Sequence, residues 1–125
     1  MQGLFAAFLA LNFLVEAFAA FALITGPGGI SAAGSGNQWS MHYGFAVLAI
    51  ASASLWVWPR RADYHVVTAV LGVLVVFHCA VAISLATAGD QKVGLVIHTV
   101  FAALSVLLFG VRARWCNAPI SQESH

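Results

Sequence analysis

The chain has 125 residues, of which 62% are hydrophobic and only 7% charged, and its net charge is +1. A water-soluble domain carries about a quarter charged residues, so this chain cannot cover an aqueous surface, and lipid is its solvent. No run of like charge is present to suggest nucleic acid as a partner, and the length fits a single domain spanning residues 1–125.

Four apolar segments follow one another, each near the roughly 20 residues that cross a hydrocarbon core about 30 Å thick. The first runs from about Leu4 to Thr25 and stops at Gly26-Pro27-Gly28-Gly29, a strong helix terminator. Its Ala17-Phe18-Ala19 and Ala20-Phe21-Ala22 triplets resemble signal-peptide cleavage sites. Met1-Gln2-Gly3 is not a basic leader, however, the apolar run is too long, and Glu16 interrupts it, so a retained span is expected. A loop of Gly, Ser, Pro and Asn over Gly26 to Ser40 is long enough to fold back as a lid. The second span covers about Met41 to Trp58, the third about Tyr64 to Thr87, and the fourth about Val93 to Val111.

Backbone polar groups in lipid must be paired within the protein, by a helix or a closed barrel, and no stretch alternates with period two as a barrel strand would. The expected fold class is therefore all-α, a four-transmembrane-helix bundle. The short links Pro59–Asp63 and Ala88–Lys92 make the second and third, and the third and fourth, spans antiparallel neighbours. Arg60, Arg61, Arg112 and Arg114 fall on one side of the membrane against Lys92 on the other, so both termini are expected in the cytoplasm of a cell inner or plasma membrane. Trp39 and Tyr43 then lie at the outer boundary and Trp56, Trp58, Tyr64 and Trp115 at the inner one, where aromatic belts form. Cys79 lies mid-span and Cys116 beyond the last span, too different in depth for a disulfide.

The ionisable residues inside the spans converge. Glu16 lies nine residues from the outer end of the first span and His78 nine from the outer end of the third, each about 13 Å deep, while His98 is about 8 Å deep in the fourth. His42 opens the second span at the outer boundary, and Asn12 lies one turn from Glu16 on the same face. Each helix thus contributes one of Glu16, His42, His78 and His98, all in the outer half. Such groups are costly against lipid and normally face the interior. The plain reading is that they fasten helices by hydrogen bonds. The functional readings are a metal or haem site, with His42, His78 and His98 as cofactor ligands and Glu16 as a further metal ligand, or a Glu/His proton relay. Ala82, Ala102 and Ser105 leave room beside the histidines, and equally permit close helix packing. His65 reads as an interfacial residue, and His125, on the tail, carries no signal.

Trp39-Ser40-Met41-His42-Tyr43-Gly44, after a Gly/Pro-rich outer loop and before a helix ended by Pro59, resembles the corresponding stretch of styrene oxide isomerases over residues 26–60. That resemblance implies haem b held by His42, with ferric iron acting as a Lewis acid that rearranges an epoxide to a carbonyl compound. Where that family carries a polar Asp/Trp/Asn stretch in the third span, this chain has Val76-Phe77-His78-Cys79, so only His42 carries over. Glu16 and the Pro27-Gly28 stop also resemble DoxX-like small membrane proteins, although the histidine spacing departs from theirs.

Three function classes follow: a haem- or transition-metal-binding membrane protein, acting as an isomerase or redox protein on a small apolar substrate; a proton-coupled transporter built on Glu16; or a structural subunit of a membrane complex. So small a chain offers little interior for both cofactor and substrate, so a homo-oligomer is expected.

Overall fold

Each apolar segment forms a helix whose ends lie within two residues of those expected: α1 (Gln2–Thr25), α2 (Trp39–Val57), α3 (Tyr64–Ala88) and α4 (Lys92–Val111). The computed structural model describes residues 1–36 and 38–117, and His125 lies outside the described residues. The all-α fold class is as the sequence predicts. The four helical stretches, extended by their terminal 3-10 turns, are long and apolar enough to cross a membrane, as in a multi-pass membrane protein. Large apolar side chains stay exposed along them, among them Leu14, Phe18, Val76, Ile83, Val93 and Val96. Such surface is unfavourable in water and neutral against lipid tails.

The described chain divides into two compact units, residues 1–6 together with the chain from Arg60 onward, and Ala7–Pro59. The first is built on an α3–α4 hairpin. Asp63 starts α3 as its N-cap, its carboxylate accepting from the amides of His65 (2.9 Å) and Val66 (3.1 Å). Gly89 ends α3 in the left-handed conformation, at φ +77°, its amide donating to the Leu85 carbonyl. Val67, Leu71, Leu74 and His78 form the buried stripe of α3, and His98, Phe101, Ser105 and Leu108 that of α4. At the opposite end of the hairpin the Asn117 amide donates to the Ala62 carbonyl at 2.7 Å. Gln2 Nε2 donates to the Trp115 carbonyl at 2.9 Å, and Phe5 packs on the Trp115 ring, so the start of α1 and the end of α4 come together.

The Asp63 cap gives a first prediction. The Val66 amide foremost, with that of His65, holds the Asp63 carboxyl below the usual carboxylate range. A depressed folded-state value means that the cap is in place above the ordinary aspartate pKa and is lost as pH falls through the lowered one. Amide exchange at His65 and Val66, compared at each pH with an Asp63→Asn variant whose cap does not ionise, should therefore stay protected through ordinary aspartate titration and accelerate only below it. Acceleration already at the ordinary aspartate pKa would refute it.

The second unit pairs the rest of α1 with α2. Gly44 permits a close approach: a Cβ there would lie 2.7 Å from Ile24 Cγ1 and 3.1 Å from the Ala20 carbonyl oxygen. Ser40 Oγ donates to the Leu23 carbonyl at 3.0 Å, and the buried amide of Asn12 donates to Ser54 Oγ at 3.0 Å. The expected long loop is shorter and better organised than its composition suggests. It contains a 3-10 turn at Ile30–Ala32, Gln38 Oε1 accepts from the Gly34 amide, and α2 begins at Trp39 rather than Met41.

Candidate metal centre

His78 follows Leu74 by one turn on the buried stripe of α3, and His98 opens the buried stripe of α4. Antiparallel packing of the hairpin brings them face to face, their Nδ1 atoms 3.0 Å apart and their ring centroids 5.3 Å apart. The Phe77 ring stands edge-on to both imidazoles, and Phe101 stands edge-on to His78 at 5.1 Å. Two basic nitrogens thus meet in an aromatic, water-poor setting.

At this separation one Nδ1 carries a proton and the other accepts it, which makes the two neutral rings opposite tautomers. If both rings instead carry the proton on Nε2, both Nδ1 lone pairs turn toward one point. That change moves a proton within one ring and releases none. Bonds of about 2.0–2.1 Å from two nitrogens 3.0 Å apart subtend about 95°, and opening them to a tetrahedral angle needs a separation of about 3.3 Å. The pair is therefore a few tenths of an ångström from chelating geometry, within reach of a side-chain adjustment. Each ring offers one ligand nitrogen.

In the other unit Glu16 is buried on a stripe of α1 that includes Leu9, Asn12 and Ala20. Asn12, expected on the Glu16 face, is there and is fastened to Ser54. Ser54 is also the polar group in an apolar groove of about 350 Å³ lined by Leu9, Phe13, Leu14, Leu55 and Trp58. His42 is exposed on the first turns of α2, its ring edge-on to Trp39 with centroids 6.4 Å apart. His65 is likewise exposed, edge-on to Tyr64. Ser105, expected to leave room beside His98, is buried and donates to the Phe101 carbonyl of its own helix.

Direct contact between His78 and His98 was legible in principle, because 67, 71, 74 and 78 repeat at helical spacing and the short Ala88–Lys92 link sets the hairpin. The aromatic walls Phe77 and Phe101 had no such signal among so many apolar residues. Comparison with known proteins returns no match: no family model, no curated protein and no solved structure aligns with the chain.

Proposed function

We propose that this chain is a multi-pass membrane protein that binds a transition-metal ion through His78 and His98. The observation that carries the reading is the 3.0 Å approach of two buried imidazole nitrogens inside one helical hairpin. Imidazole suits zinc, copper, nickel and non-haem iron, whereas calcium and magnesium prefer oxygen ligands. Two axial histidines grip a haem iron from opposite faces of the porphyrin. Nitrogens in direct contact leave no such gap, so the pair fits a bare ion better than haem. Lipid around the hairpin would keep the ion from bulk water, the condition for a metal that is carried or poised for redox chemistry.

Metal analysis and an absorption spectrum of the detergent-purified protein test the reading. One equivalent of a transition metal, or stoichiometric Co²⁺ uptake with visible ligand-field bands, is the expected result. A metal-free protein that also refuses Co²⁺ would reduce the histidine pair to a helix fastener. A Soret band abolished by His42→Ala would put the haem site implied by the isomerase resemblance in its place, and a Soret band lost with His78→Ala would overturn the preference for a bare ion.

Orientation belongs to the same proposal. With the arginines cytoplasmic, residues 26–38 face outward. A Ser35→Cys variant should react with a membrane-impermeant maleimide in intact cells, after native cysteines are replaced. Reaction only after lysis would reverse the orientation and place the histidine pair in the cytoplasmic half.

A further inference from the structure

All four arginines of the chain lie at one end of the α3–α4 hairpin, while the other end carries Asp90 and Lys92, whose charges cancel. Arg60 and Arg61 precede α3, and Arg112 and Arg114 belong to the 3-10 turn that follows α4. The two turns are fixed to each other, because the Asn117 amide donates to the Ala62 carbonyl and residues 63 and 117 form a bridge. Asp63 is the acid among the described residues at this end, and its carboxylate is taken up by the amides that start α3.

Arg112 is held more firmly than membrane insertion requires. Its Nε donates to Thr68 Oγ1 at 2.8 Å, one terminal nitrogen donates to the Phe109 carbonyl, and its guanidinium lies over the Phe109 ring at 3.9 Å and the Tyr64 ring at 5.4 Å. A guanidinium packed against two rings and hydrogen-bonded at a helix end gives up little freedom when it binds an oxyanion. Arg60, Arg61 and Arg114 are exposed around the same end. Arginines that only set topology by charge need neither a fixed geometry nor a tie between two turns.

We infer that this end of the hairpin is a binding site for the headgroup of an anionic phospholipid, with the phosphate received by Arg112 and the exposed arginines supplying the surrounding field. The site sits where a helix end meets the headgroup layer, so the ligand arrives from the membrane. The shared chemistry is a phosphate oxyanion, and a free phosphate ion is the alternative source that the test separates.

The full chain, purified in detergent, is titrated with phosphatidylglycerol or with phosphatidylcholine, and bound lipid is counted by native mass spectrometry. Phosphatidylglycerol should bind more than about 25-fold more tightly. Each arginine near the surface contributes about a fivefold effect, so the Arg60→Gln/Arg61→Gln double variant should weaken phosphatidylglycerol about 25-fold while leaving phosphatidylcholine unchanged. Arg112→Lys preserves charge and topology but lacks the planar fork, and it should also lower phosphatidylglycerol affinity. Equal binding of the two lipids by the wild-type chain, or undiminished phosphatidylglycerol binding by Arg112→Lys, overturns the inference. So does complete displacement of the lipid by millimolar inorganic phosphate, which would make the free ion the ligand. The wild-type comparison and Arg112→Lys decide the matter even if the double variant does not fold.

Discussion

Replacing either His78 or His98 with alanine is expected to lower affinity for Zn²⁺ or Co²⁺ by at least about 100-fold, because partners that merely orient a ligand already account for 10–100-fold. The two nitrogens stand 3.0 Å apart, and losing either leaves a single imidazole that cannot chelate. Alanine also removes a buried ring that packs against Phe77 and Phe101, so part of any loss could come from repacking. The pair of variants His98→Asn and His98→Cys separates these effects. Asparagine keeps a polar group but is a poor ligand, and affinity should fall as with alanine. Cysteine supplies a thiolate, so binding should persist and the Co²⁺ spectrum should gain a sulfur-to-cobalt charge-transfer band. His65→Ala, at an exposed site outside the pair, should bind as wild type. Retained stoichiometric metal in the His78→Ala/His98→Ala double variant would refute the centre outright.

The division between what sequence reading reached and what it missed follows the physics of each feature. The helices were legible because lipid leaves the backbone one local solution, and the stops at Gly26-Pro27 and Pro59 are chemical rather than contextual. Level along the α3–α4 hairpin was legible too, since a constant rise per residue puts His78 and His98 at similar distances from the link that joins the two helices. Facing was harder. His42 and His78 both look like intramembrane histidines in a list, yet one is exposed on the first turns of α2 and the other continues the stripe Val67–Leu71–Leu74. In a soluble helix the polar face would have marked the inward side by contrast. In lipid both faces are apolar and the contrast disappears. The Asn12–Ser54 bond and the packing of Arg112 on Tyr64 and Phe109 were not legible, because each depends on the rotation of two helices about their axes.

Gly44 carries the second large effect, and it concerns folding rather than chemistry. Where α2 crosses the C-terminal end of α1, a Cβ on residue 44 would sit 2.7 Å from Ile24 Cγ1, 3.1 Å from the Ala20 carbonyl oxygen and 3.1 Å from Leu23 Cβ. The first of these atoms can swing aside by rotating a side chain. The carbonyl and the Leu23 Cβ move only with the backbone, so the helices must separate. Without a hydrophobic driving force between helices in lipid, small residues at close contacts supply much of the attraction through packing, and a few tenths of an ångström of separation weakens it along the whole seam. Separation also stretches the nearby bond from Ser40 Oγ to the Leu23 carbonyl, at 3.0 Å in the native packing. Gly44→Ala should therefore destabilise the protein by roughly 1–3 kcal/mol, the usual range for overpacking. Gly44→Val puts three carbons into the same gap and should prevent recovery of a monodisperse species from detergent. Thermal unfolding followed by circular dichroism measures the first effect and size-exclusion chromatography the second. An Ile24→Ala change, made together with Gly44→Ala, removes the atom that the new methyl strikes first. It should restore part of the loss as a favourable coupling in a double-mutant cycle. A Gly44→Ala protein as stable as the wild type, or a Gly44→Val protein that melts with it, would show that α1 and α2 do not approach each other through this glycine.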